Sequence, residues 1–253
     1  TFKTPYGCKV ALAITSGSTL YNESGVVVST ILANASASMT LSSTPSPVTF
    51  PTDWRTQLTG STMTTTIVAG DLTSIAFERS VPTGYTQIGT IATSILVYKS
   101  TSVDTDIVFV YAGKIKAPVD SSSLFKGLTK LVNLTFNNFD TSDTTNMDRM
   151  FTLAKNSSRG FTTNAVPEVE KFDTFNTTLE NLDLRMFDTS KVVSMAEMFY
   201  GCVGLKTLDC SSFDMSNVAN WTGMFNFTTN NTIKTLKLPY NNTGAIPITT
   251  GAT

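Results

Sequence analysis

The chain says one thing several times over: residues 179–199 read LENLDLRMFDTSKVVSMAEMF, and residues 205–225 read LKTLDCSSFDMSNVANWTGMF, with nearly every apolar position kept. Residues 131–151, LVNLTFNNFDTSDTTNMDRMF, carry the same pattern. A truncated copy opens at Ile233 with IKTLKLP, and the half-copy Leu124-Phe125-Lys126-Gly127 leads in. Self-similarity of this length marks a stack of small units, none of which can bury its apolar side alone. The expected fold class is mainly β: an N-terminal β-sandwich or barrel, then a short solenoid.

Each unit can be built from its residues. The stretch L-x-x-L-x-L (Leu179, Leu182, Leu184; Leu205, Leu208, Cys210) alternates apolar with polar, so a short strand turns those side chains inward and Asn181, Asp183 and Arg185 outward. An inward Phe follows (Phe139, Phe187, Phe213), expected to form a stacked ladder, and then Asp-x-Ser at Asp140, Asp188 and Asp214. Asp and Ser at such a corner bond nearby backbone N–H groups and turn the chain. Val192, Met195, Met198 and Phe199 fall at helical spacing, which predicts one strand and one short helix per coil.

The string L-x-x-L-D-L-x-x-F-D-T-S-x-V-x-x-M-x-x-M-F-x-G-C resembles the leucine-rich-like repeats of bacterial surface proteins of the BspA type and of mycoplasma surface lipoproteins, over about residues 121–240. The resemblance implies a binding role on a cell or particle surface, usually adhesion. Two departures stand out. About 22 extra residues separate Phe151 from Leu179, and Pro239 breaks the last copy, as a solenoid cap would.

Residues 1–118 carry no such repeat and are read as a β-rich docking domain, with residues 119–253 as the repeat domain and an insertion at about 152–178. Short alternating runs at 9–14, 26–32, 63–68, 88–99 and 106–115, separated by turn residues, suggest the sandwich or barrel. The clearest hairpin pairs residues 95–99 with 107–111. Its string, ILVYKSTSVDTDIVFVYAG, resembles the closing hairpin of small phage virion proteins.

Charge and residue usage remove whole classes of chemistry. Lys+Arg 18 against Asp+Glu 19 gives no field for nucleic acid or an anionic membrane. No apolar run is long enough for a membrane-spanning helix. With no histidine, Ser-His-Asp and Cys-His nucleophiles and His-ligated zinc are excluded. Cys202 and Cys210 sit at inward repeat positions and read as small buried hydrophobes, and Cys8 has no partner spacing. Neither cofactor nor metal is expected; the corner acids lack the dense carboxylate run of a calcium loop.

One pair could carry chemistry. Asp183 and Asp209 occupy the same outward position in adjacent coils, at about 5 Å, close to the spacing of a retaining glycosidase. Arg185 and Lys237 are placed to neutralise them, so a salt-bridged ladder is the expectation and a glycan-active enzyme the remote alternative. Asn-x-Ser/Thr triplets begin at Asn22, Asn34, Asn133, Asn156, Asn176, Asn220, Asn226, Asn230 and Asn241, as expected of a Ser/Thr-rich composition. The start at Thr1 fits either a processed chain or removal of an initiator Met.

Binding is expected from the insertion, through Arg159, Phe161, Phe172 and Phe175, and then from the outward residues Asn181, Arg185, Thr207 and Lys237. Leu182 and Leu208, with the corner Phe and Asp residues, are structural. The expected function is non-enzymatic surface display in a multi-copy assembly: a phage capsid or tail decoration component, or alternatively a secreted or cell-surface adhesin. The partners expected are other virion or surface proteins and a host surface protein or glycan, without nucleic acid or membrane insertion.

Overall fold

A computed structural model describes residues 10–14, 19–21, 27–30, 37–41, 45–155, 174–226 and 233–239. Cys8 and the expected contact residues Arg159, Phe161 and Phe172 lie outside them. The chain divides into two compact units, Thr1–Ser46 and Pro47–Thr253. In the first, β1 (Val10–Ile14) pairs antiparallel with β4 (Ala37–Leu41), and β2 (Thr19–Tyr21) with β3 (Val27–Thr30).

The second unit is mainly β, and among the described residues its sheets are open and do not close into a barrel. Its elements are β5 (Val48–Thr49), α1 (Trp54–Gln57), β6 (Ser74–Glu78), β7 (Tyr85–Ile91), β8 (Ile95–Ser100), β9 (Asp106–Val110) and β10 (Ile115–Lys116). There follow β11 (Asn133–Thr135), β12 (Phe139–Asp140), β13 (Ala154–Lys155), β14 (Thr174–Phe175), β15 (Asn181–Asp183), β16 (Thr207–Asp209) and β17 (Thr235–Lys237). The run at 63–68 holds no strand, only a single bridge from Met63 to Gly89. The run at 88–99 spans two strands, β7 and β8.

The repeat strands form where the alternation places them. β15, β16 and β17 pair in parallel with equivalent residues in register: Asn181 with Thr207 and Thr235, Leu182 with Leu208 and Leu236, Asp183 with Asp209 and Lys237. Leu179, Leu182, Leu184, Leu205, Leu208 and Cys210 are buried while Asn181, Asp183 and Thr207 face solvent. Burying a Leu side chain is worth roughly 1.5–3 kcal/mol, so a one-residue slip that turned these leucines outward would be costly.

The expected helix in each coil does not form. The segments at Asp120, Asn146, Ser194 and Asn220 are joined in parallel by single bridges instead. Alternate N–H groups donate to the next copy: Met195 to Asn220 O (2.7 Å), Glu197 to Thr222 O (2.9 Å) and Phe199 to Met224 O (3.1 Å). These donors are thus spent between copies and not on carbonyls four residues back. The position between the bridge and the Phe is left-handed in every copy, with φ of 58° at Ser123, 55° at Arg149, 53° at Glu197 and 65° at Gly223. A left-handed residue stops a right-handed helix, so turns present Val192, Met195 and Met198 to the core. All three are fully enclosed.

The Phe residues stack, but not those expected. Phe139, Phe187 and Phe213 are buried, with Phe139 and Phe187 tilted by 33° at 6.3 Å. The face-to-face column is Phe125, Phe151, Phe199 and Phe225, at centroid spacings of 5.7, 5.8 and 5.9 Å and interplanar angles of 8°, 4° and 15°.

Corner residues lock one copy to the next. Asp140, Asp188 and Asp214 each accept from the N–H two residues on, at 3.1, 3.0 and 2.9 Å. Between Asp and Ser, buried Thr141 donates to Asp188 O (2.9 Å) and accepts from Asp188 N (2.8 Å), and Thr189 makes the same pair of bonds to Asp214. The third copy has Met215 there, apolar and buried.

Within the second unit, strands from before and after residue 118 share sheets. Residues 72–77, LTSIAF, repeat the L-x-x-L-x-F spacing of Leu131, Leu134 and Phe136, and β6 lies in parallel between β9 and β11. The hairpin of β8 and β9, with β7, continues that sheet at its far end, and β5, β10 and β12 form a second parallel row. Trp54 is fully buried and donates its indole N–H to Leu124 O (3.0 Å). Arg55 lies 4.6 Å from the Trp54 ring, reaches Lys126 O (2.9 Å), and has its pKa lowered to about 10 by burial.

Candidate functional site: the outward face of the repeat strands

The pleat of β15, β16 and β17 turns two rows of polar side chains to solvent. One row is Asn181, Thr207 and Thr235, in which Thr207 Oγ1 donates to Asn181 Oδ1 at 2.5 Å. The other is Asp183, Asp209 and Lys237. Four of the expected binding residues, Asn181, Arg185, Thr207 and Lys237, are thereby gathered on one exposed surface. The row before each strand adds charge, since Lys206 pairs with Glu180.

Electrostatically the face neutralises itself. Arg185 grips Asp183 with Nε to Oδ1 at 2.9 Å and Nη2 to Oδ2 at 2.6 Å. Lys237 Nζ reaches Asp209 Oδ2 at 2.8 Å, and Ser211 donates its hydroxyl (2.5 Å) and N–H (3.0 Å) to Asp209 Oδ1. The Arg185 hydrogen bonds hold the Asp183 carboxyl below the usual carboxylate range, outweighing the nearby charge of Asp209. The Lys237 and Ser211 bonds lower Asp209 too. A glycosidase acid needs its pKa raised to carry a proton at neutral pH, whereas both acids are shifted the other way.

A titration follows from these signs. The folded state holds both carboxylates below their unfolded values, so their stabilising contribution is present above about pH 4 and is lost as pH falls through the folded values. Carboxyl-detected NMR is expected to place both midpoints below about 4, the unperturbed Asp value. A midpoint above about 6 in either would revive the general acid.

Phe175, the one insertion aromatic described, is half-buried where β13 and β14 pair antiparallel at the base of the insertion. Its ring packs on Gly201, where a Cβ would lie 3.0 Å from Phe175 Cδ1 and 2.6 Å from Ala154 Cβ, and φ is 73°. Only glycine suits that position.

Asn176, noted in the sequence only as a triplet, is fully enclosed and bonded on all sides. Its Nδ2 donates to Leu128 O (3.0 Å) and Leu131 O (2.7 Å), and its Oδ1 accepts from Thr178 N (3.1 Å) and Leu179 N (2.8 Å). An Asn placed between an insertion and the first strand Leu was the available signal.

Elsewhere, an open depression of about 380 Å³ lies among Ser123, Asn146, Asp148, Arg149 and Glu197. Its charges face each other: Arg149 Nε donates to Glu197 Oε2 (2.7 Å), and Asp148 accepts from Ser194 Oγ (2.5 Å) and Ala196 N (2.7 Å). Cys202 and Cys210 are buried, and burial pushes the Cys202 thiol up to about 12 and raises that of Cys210. Among the described residues no group of three or more His, Cys, Asp or Glu side chains is arranged to hold a metal ion, and no helix is long and apolar enough to cross a membrane.

A family model described as "Mycoplasma protein of unknown function, DUF285" matches residues 110–236, the stretch from the end of β9 into β17. No curated protein matches the chain, and no solved structure does.

Proposed function

The chain belongs to the DUF285 family of mycoplasma proteins, and from that premise we propose a non-enzymatic module, displayed on a cell surface, that binds through the outward face of its repeat strands. The repeats are read as a short solenoid whose coil is two β segments joined by turns. One observation carries the reading: equivalent polar side chains recur in register across β15, β16 and β17, while Leu182 and Leu208 are buried and Leu236 packs half-buried against the same core. A flat face of hydroxyl, amide and paired ionic groups suits a protein or glycan surface recognised through many separate contacts. The low pKa values of Asp183 and Asp209 favour binding over catalysis. The mycoplasma family favours a cell surface. The virion alternative draws on the hairpin at 95–113, most of which lies outside the matched segment.

The test uses fluorescently labelled full chain on intact eukaryotic cells. Saturable binding is expected, and Asn181→Arg with Thr207→Arg, both exposed, should weaken it at least about tenfold, or 1.4 kcal/mol. Undiminished binding by the variant would remove the face from the reading, and glycan cleavage by the wild type would remove the non-enzymatic claim. Mass spectrometry of cell envelopes and phage particles places the protein, with recovery from envelopes expected and recovery from particles alone favouring the virion.

A further inference from the structure

One seam of the stack lacks a strand ladder on one side. Between the copy at 131–151 and the copy at 179–199, the bridge column is closed. Met147, Arg149 and Phe151 donate to Ser194 O (2.9 Å), Ala196 O (2.8 Å) and Met198 O (2.9 Å), and Val193 donates to Thr145 O (2.8 Å). On the strand side β11 and β15 lie alongside each other, yet they belong to separate sheets. Among the described residues no ladder pairs them.

The neighbouring strand seams behave differently. Each begins with two successive N–H groups on one carbonyl: Val132 and Asn133 on Thr73 O, Lys206 and Thr207 on Glu180 O, Lys234 and Thr235 on Lys206 O. Each then continues as a parallel ladder. At the exceptional seam the chain re-enters the stack from the insertion, and side chains make the junction in place of backbone. Asn176 Nδ2 and Thr178 Oγ1 both donate to Leu131 O, at 2.7 and 2.8 Å.

We propose that the β11/β15 seam is a hinge. The bridge column, the Asn176 junction and the Thr141–Asp188 corner hold the copies together, and the strand edges between them part and close, changing the curvature of the outward face between Thr135 and Asp183. Parting costs no ladder hydrogen bond there, whereas it would break several at β15/β16. The inference rests on hydrogen bonding alone and is independent of any partner.

Amide-resolved hydrogen–deuterium exchange on the full chain tests it. Asn181 and Asp183 should exchange at least about tenfold faster than Thr207 and Asp209, while Met147, Arg149 and Phe151 stay as protected as Met195, Glu197 and Phe199. Uniform protection across both strand seams would overturn the hinge, as would equal loss on the two sides of the seam. A second arm separates opening from simple solvent contact: Thr135→Cys with Asp183→Cys, in a Cys8→Ser background. Oxidising the pair should slow exchange at residues 181 and 183 and leave Thr207 and Asp209 unchanged. A pair that does not oxidise in the folded protein, or an oxidised pair that leaves the fast exchange unaltered, would also overturn it.

Discussion

Truncating Phe199 to Ala is expected to destabilise the protein by about 3–5 kcal/mol, the range for emptying a fully buried Phe site. The ring lies in the stacked column between Phe151 and Phe225, at 5.8 and 5.9 Å, and is fully enclosed. Its loss removes transfer energy, leaves a cavity between copies, and cancels two ring contacts worth roughly 0.5–1.5 kcal/mol each. The neighbouring backbone cannot slump into the space, because Phe151 N is held on Met198 O and Phe199 N on Met224 O. Val193→Ala, half-exposed on the bridge side, is the control and should stay within about 0.5 kcal/mol. Urea melts that put Phe199→Ala below about 1 kcal/mol would mean the column is not part of the core.

Replacing Asn176 by Leu is expected to cost about 4 kcal/mol, with a volume similar enough that packing is not the reason. The substitution removes four hydrogen bonds at a site closed to water. Leu131 O keeps the Thr178 hydroxyl, but Leu128 O, Thr178 N and Leu179 N lose their side-chain partner. Each buried polar group left unsatisfied costs roughly 1–3 kcal/mol. The loss should appear in chemical melts with an unchanged slope. A change under about 1 kcal/mol would show that water replaces the amide, and that Asn176 does not join the copies.

The strands of the repeats were legible because period-two alternation has one physical meaning when one face is buried: Leu182 and Leu208 point in, Asn181 and Thr207 point out. The spacing of Val192, Met195 and Met198 was ambiguous. Inward positions three residues apart suit a helix and equally a chain of tight turns. The decision fell to left-handed residues such as Arg149 and Glu197, whose types give no warning of positive φ. That choice moved the stacked column from Phe187 to Phe199.

Residues 72–77 were missed for another reason. Their L-x-x-I-x-F spacing is present, but the Asp-x-Ser corner and the Met-Phe segment that identify a copy do not follow, and β6 reaches its neighbours by lying between strands that come later in the chain. Long-range insertion of this kind leaves no local signal. For the site, Asn181, Arg185, Thr207 and Lys237 could be placed together because register follows from the repeat. Asn176 could not, since its four partners are backbone groups.

Calorimetry of the chain shortened to residues 47–253 tests most directly the claim that front strands and repeats make one stack. β6 between β9 and β11, and Trp54 on Leu124 O, make residues 47–118 part of the same core as the repeats. A single transition is predicted, with calorimetric and van't Hoff enthalpies equal. Two separable transitions, one of them retained by residues 119–253 alone, would contradict the account.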